Sequence, residues 1–247
     1  MKKTLLLFVI LHFSQISTSY SQDGNRRITA GNFSTQKISS ITPEKWQAMK
    51  FDNIDTETAY FLTRDNNQTV FKAVSNAAAS GYIHKISIDP KQYPILTWSW
   101  KIDNLIKKSN INTKEGDDYP ARIYVTFEYD TERLSGWESF KVGFYKAIYG
   151  EYPPLAVLNY VWANKKSVGY TTPNAYTKRV QMLVAQSGQT HVGKWVKQQA
   201  NIYDDYKRVF GEVPMKITAI AIMTDTDNTL ESATAYYGDI YFSQTKD

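Results

Sequence analysis

The most constraining feature of the chain is the period-two alternation of side chains over residues 93–102. Leu96, Trp98, Trp100 and Ile102 fall on one face, and Thr97, Ser99 and Lys101 on the other. That spacing belongs to an extended strand with one buried face. Residues 121–128 repeat it, setting Ile123, Val125 and Phe127 against Arg122, Tyr124, Thr126 and Glu128. Residues 217–223 are apolar on both faces, which predicts a strand in the middle of a stack. Further strands are expected over residues 178–185 and 236–242. Period two gives way once. Ile202, Tyr203, Tyr206, Val209 and Phe210 form a helical stripe, with Asn201 placed to cap its start and Gly211 to end it. The pattern predicts an all-β protein, an antiparallel β-sandwich carrying one short helix. A doubly wound α/β fold needs several helices alternating with strands, and this pattern does not supply them.

The first residues read differently. Met1-Lys2-Lys3 is a short positive region, residues 5–13 are apolar apart from His12, and Ser19-Tyr20-Ser21 offers small residues at a cleavage site. This predicts a signal peptide over residues 1–21, a mature chain from Gln22 and an exported protein, periplasmic or extracellular. The apolar run is about half the ~20 residues that a membrane-spanning helix needs, so no transmembrane segment is expected. Residues 22–247 lack a Gly/Ser linker or repeat and are expected to form a single β-sandwich domain. The net charge of +5 falls to +3 once Lys2 and Lys3 leave with the leader, which gives nucleic-acid binding little support.

Residue chemistry narrows the function. Cysteine is absent, and beyond the leader only His84 and His191 remain, which excludes disulfides and thiol nucleophiles and argues against a His/Cys zinc site. No nucleophile elbow, Walker loop or dinucleotide fingerprint is present. Two acidic clusters stand out. In Gly116-Asp117-Asp118-Tyr119-Pro120-Ala121-Arg122, the carboxylates can hold a sugar hydroxyl or a cation, or can simply form a turn with Asp118 paired to Arg122. In Asp225-Thr226-Asp227-Asn228-Thr229, crowded oxygen donors suit calcium, or an Asx-turn closing the preceding strand. Position six of that loop is Leu230 and position twelve is Tyr236, so it is not an EF-hand. Trp98 and Trp100 sit on the apolar strand face and are expected in the core. Tyr124, Tyr160 and Trp162 are candidates for an exposed platform that stacks on sugar rings.

The run from Leu96 to Lys101, the Gly116–Arg122 cluster, Tyr160-Val161-Trp162-Ala163, Asp225-Thr226-Asp227-Asn228-Thr229 and Ala235-Tyr236-Tyr237-Gly238-Asp239-Ile240 together resemble a bacterial exported family. That family is catalogued as a domain of unknown function, the 3047 family, and the likeness covers nearly all of residues 22–247. At the level of fold the chain is similar to the galactose-binding, jelly-roll group of carbohydrate-binding modules. The resemblance implies a structural calcium near the last strand, which adds Asp239 to Asp225, Asp227 and Asn228 as candidate metal ligands. Lys141-Val142-Gly143-Phe144-Tyr145 faintly resembles a strand of jelly-roll alginate lyases, which would imply an enzyme.

Three functions follow. The leading expectation is a secreted glycan-binding protein without catalysis of its own, gripping a polysaccharide or oligosaccharide through an Arg/Lys/Tyr/Trp sheet face. Its candidate residues are Lys101, Asp118, Arg122, Tyr124, Tyr160, Trp162 and Arg179. The second is a polysaccharide lyase cleaving a uronate-containing glycan by β-elimination, with Arg122 or Lys101 neutralising the carboxylate. The third is an envelope structural or partner-binding domain.

Overall fold

The computed structural model describes residues 26–38, 42–52, 54–128 and 156–246. The leader over residues 1–21 and the run over residues 141–145 lie outside the described residues. In chain order the strands are β1 (Arg27–Gly31), β2 (Gln47–Met49), β3 (Ala59–Asp65), β4 (Gln68–Asn76), β5 (Ala79–Ile88), β6 (Ile95–Ile102) and β7 (Arg122–Phe127). They continue as β8 (Ala156–Ala163), β9 (Thr171–Pro173), β10 (Val180–Ser187), β11 (Val196–Asn201), β12 (Ile217–Asp225) and β13 (Ser232–Ser243). Between β11 and β12 lies one helix, α1 (Ile202–Phe210).

One sheet has six strands, β11-β6-β13-β4-β3 with β1 also paired to β13; the other has seven, β2-β5-β12-β7-β8-β10-β9. From β4 to β7 and again from β11 to β13, successive strands alternate between the sheets. The result sets β4-β13-β6-β11 against β5-β12-β7-β8, the jelly-roll arrangement. β12 lies between β5 and β7, as its two apolar faces require.

The core sits between the sheets. Leu96, Trp98, Trp100 and Ile102 of β6 meet Ile123, Val125 and Phe127 of β7 and Leu158, Tyr160 and Trp162 of β8. Ring contacts include Trp98 with Tyr160 at 5.3 Å and Trp100 with Trp162 at 5.9 Å. Rings of this size bury roughly 150–250 Å² each. At about 25 cal/mol per Å² that makes this aromatic layer a leading stabilising contribution.

The helix forms where the sequence places it. Asn201 Oδ1 accepts the Asp204 backbone N–H at 3.1 Å, and Gly211 ends the helix at φ 73° with its N–H donating to the Lys207 carbonyl at 2.9 Å. That φ favours glycine. Tyr206 then packs against Phe127, ring to ring at 4.7 Å.

One departure from an all-antiparallel sandwich appears. β10 pairs with β8 in parallel and with β9 antiparallel. After β8 the chain skips one strand position, returns as the short edge strand β9, and reverses into the gap as β10. Two reversals restore the direction of β8, so the pair is parallel without a crossover helix.

Candidate functional site

The two acidic clusters, more than a hundred residues apart in sequence, interlock on the outer face of the seven-stranded sheet. Arg122, first on β7, is 2% exposed. Its Nε donates to Asp225 Oδ1 at 2.8 Å, and one Nη donates to Asp225 Oδ2 and to the Asp117 carbonyl. The other Nη donates to Asp117 Oδ1 at 3.3 Å, and the Tyr119 ring lies 4.4 Å from the guanidinium. Asp118 ties down the β12–β13 loop by accepting the backbone N–H of Asn228 at 3.3 Å and of Thr229 at 2.6 Å. Gly116 allows the preceding turn to close, because a Cβ there would meet the backbone N of Asn110 at 2.6 Å.

Around this ion cluster is a pocket of ≈ 340 Å³. Asp117, Asp225 and Asp227 line it together with Phe51, Tyr124 and Tyr176. The Tyr176 hydroxyl accepts an Asn228 side-chain N–H at 3.2 Å. Burial pushes the Asp225 carboxyl up to about 8, with Asp118 and Asp117 adding to the rise and Arg122 opposing it. Burial, followed by the nearby Asp118 charge, also raises the Asp227 carboxyl above its ordinary range.

Several expected roles change. Arg122 and Tyr124 do share an outward face, but Arg122 is no open anion-binding group, because Asp225 and Asp117 already hold it. Tyr160 and Trp162 are 3% and 0% exposed and point into the core, so they offer no stacking platform. Their polar ends are used internally: the Tyr160 hydroxyl donates to Asp205 at 2.8 Å and the Trp162 indole N–H donates to the Gly188 carbonyl at 3.3 Å. Arg179 precedes β10, where its carbonyl accepts the Val157 N–H at 3.0 Å, and it does not line the pocket. Lys101 lies on the other sheet.

The calcium set is also redistributed. Asp118, Asp225 and Asp227 bring carboxylate oxygens within 4.8 Å of one another. Asp239 is outside this group; it accepts the backbone N–H of Ser34 at 2.8 Å and its hydroxyl at 2.5 Å. The donor set fits calcium poorly, since calcium takes six to eight oxygens. Asp225 is already bidentate to a guanidinium, and both Asp118 oxygens accept backbone N–H groups.

A second surface lies on the outer face of the six-stranded sheet. Phe61 of β3 stands opposite Lys72 of β4, Lys72 opposite Tyr236 of β13, and Tyr236 opposite Lys101 of β6. Trp195, just before β11, extends the row. Lys72 Nζ lies 5.8 Å from the Phe61 ring and 5.1 Å from Tyr236; Lys101 Nζ lies 4.1 Å from Tyr236 and 5.8 Å from Trp195. Asp65 pins the end of the row, accepting Lys101 Nζ at 2.8 Å and the Trp195 indole N–H at 2.5 Å. Those bonds, Lys101 foremost, hold the Asp65 carboxyl below its ordinary range. Gly238 lies beneath this row against Ser99, where a Cβ would come within 2.2 Å of the Ser99 Oγ. Of this row the sequence singled out only Lys101. Phe61, Lys72 and Trp195 carry no local signal of it, although Tyr236 lies on a strand the sequence predicted.

Among solved structures, the chain is similar to a family 30 carbohydrate-binding module of a cellulosomal cellulase of Clostridium thermocellum. There the TM-score is 0.42 at 10% identity, covering 90% of this chain and 99% of that one. It is also similar to the xylan-binding module CBM15, with a TM-score of 0.30 at 10% identity, covering 91% and 99%. The glycoside hydrolase domain of Endo-D from Streptococcus pneumoniae R6 gives a TM-score of 0.35 at 7% identity, covering 82% of this chain and 22% of that one. No curated protein matches the sequence. The model of the family described as a protein of unknown function, DUF3047, matches residues 44–241, and the chain belongs to that family.

Proposed function

We propose that this is an exported glycan-binding protein that holds a polysaccharide chain along the outer face of the six-stranded sheet. The observation that carries the reading is the in-register row Phe61, Lys72, Tyr236, Lys101 and Trp195. At ~4.8 Å per strand the row spans about 19 Å, the length of a short oligosaccharide rather than a single sugar. The exposed Phe61 ring packs against the C–H face of a sugar ring, and Lys72 and Lys101, which flank the Tyr236 ring, donate hydrogen bonds to hydroxyls. Phe61 is 43% exposed, so its ring is open to a ligand. Asp65 pairs with Lys101 and also feels the Lys72 charge, while Asp103 accepts the Tyr236 hydroxyl at 2.9 Å. Stacking therefore sets the ligand class more than charge does. Export is supported by the leader-like residues 1–21.

The elimination reading asked Arg122 or Lys101 to neutralise a uronate. Both cations are already paired, Arg122 with Asp225 and Asp117 and Lys101 with Asp65. Binding is the better-supported reading. It is tested by affinity electrophoresis of the native protein, Trp195→Ala and Tyr236→Ala through gels each containing one polysaccharide from a broad panel. Losing a central aromatic anchor removes about 2 kcal/mol, roughly 30-fold in affinity. Native migration unaffected by every polysaccharide, or retardation that both substitutions leave intact, would end the reading.

A further inference from the structure

The pocket on the seven-stranded sheet is separate from the aromatic row and lies on the opposite side of the sandwich. Its walls and its charge point to one kind of ligand. Four carboxylates, those of Asp117, Asp118, Asp225 and Asp227, crowd around the single guanidinium of Arg122. Even with Asp225 carrying a proton, the cluster holds more negative than positive charge. At the rim, Lys114 lies over Tyr176, Nζ to ring centroid 5.2 Å, and the Glu115 charge also reaches that tyrosine.

The walls are aromatic. Phe51, Tyr124 and Tyr176 line the same space as the carboxylates. Ring faces attract cations, most strongly where water is excluded. Tyr124 is half-buried and its hydroxyl is turned toward Met223 Sδ at 3.6 Å. Asp227 differs from its neighbours. Asp118 and Asp225 are occupied by backbone N–H groups or by Arg122, whereas the half-buried Asp227, bonded to its own backbone N–H, lines the pocket. A volume of ≈ 340 Å³ is at the small end of ligand pockets.

We propose that this pocket binds the ammonium group of a small organic amine of amino-sugar size. Asp227 accepts its N–H donors, while Phe51, Tyr124 and Tyr176 pack on the carbon frame. Arg122 does not touch the ligand as an anion receptor; it holds Asp117 and Asp225 in place beneath it. The inference does not rest on the glycan-binding reading of the opposite sheet.

The test is calorimetric titration of the full chain with glucosamine at pH 6, where the amine is protonated, with glucose and N-acetylglucosamine as uncharged counterparts. Glucosamine is expected to bind at least tenfold more tightly than either. Asp227→Asn is expected to weaken it at least tenfold while leaving the melting temperature near native, and Trp195→Ala to leave it unchanged. Equal affinity for glucosamine and glucose overturns the proposal. So does binding that survives Asp227→Asn, or binding lost in Trp195→Ala, which would put the amine on the other sheet. Displacement of glucosamine by millimolar calcium chloride, with calcium itself raising the melting temperature, would reassign the pocket to a metal and also overturn it.

Discussion

Replacing Arg122 with Met tests whether the ion cluster is an organised structural unit. The substitution keeps much of the side chain's length and apolar bulk but removes the one cation among Asp117, Asp118, Asp225 and Asp227. Breaking a buried pair by removing one partner typically costs about 3–5 kcal/mol; here Asp117 loses its counter-ion and the Asp225 carboxyl, already pushed up by burial, takes up a proton. In a domain of this size, 1 kcal/mol moves the melting temperature by about 2–4 °C, so the drop should be roughly 6–20 °C by calorimetry at pH 8. pH dependence adds a second check. Asp225 titrates at about 8 in the folded chain against an ordinary 3.8, so the native state holds the extra proton between those values. Its contribution to stability is fully present below 3.8 and is lost as pH rises through about 8. Asp225→Leu combined with Arg122→Met should recover only part of the loss, since an apolar pair replaces Arg122 and Asp225 at little cost while Asp117 stays without its counter-ion. If Arg122→Met stays within about 1 kcal/mol of native at pH 8, the cluster does not stabilise the fold in the manner argued.

Three further outcomes are expected. Melting temperatures in millimolar calcium and in chelator should coincide, because Arg122 and backbone N–H groups already engage Asp225 and Asp118; a calcium-dependent rise would show that the loop holds a metal. Gly238→Val should destabilise the fold by about 1–3 kcal/mol through overpacking against Ser99; an unchanged melting temperature would mean that this close approach is unimportant. Because Asp65 titrates below its ordinary 3.8, the fluorescence difference between native protein and Trp195→Phe should persist as pH falls to that value and change only below it. A midpoint at or above 3.8 would contradict the Lys101–Asp65–Trp195 arrangement.

How much of this could be read from residues alone varies with the kind of information involved. Period two assigns faces along a strand, so the inward set on β6 and the shared outward face of Arg122 and Tyr124 were legible. The helix was legible as well, since its stripe, cap and terminating glycine are all local. Alternation says nothing about what closes over a face. Arg122 is buried because Asp225 arrives from β12 and Asp117 from the turn before β7, and that pairing depends on strand order. β8 shows a different failure. Residues 156–163 are buried on both faces, so no alternation distinguishes them. Asn159 and Asn164 around Tyr160 and Trp162 gave a polar look to what is core. The aromatic row was illegible for the same reason as the ion cluster. Its members come from four strands and one preceding loop, and only cross-strand register makes them neighbours.

The central claim, that a glycan lies on the outer face of the six-stranded sheet, is tested most directly by the indole N–H signals in a heteronuclear NMR titration with the best-retained polysaccharide's oligosaccharide. Trp195 is half-buried beside Lys101 and Tyr236, whereas Trp98, Trp100 and Trp162 lie in the core. The expected result is a saturable shift of the Trp195 indole signal, together with the backbone amides of Lys72, Lys101 and Tyr236, while the core indoles stay in place. Saturable shifts confined to the Asp227 pocket, with Trp195 unmoved, would contradict it.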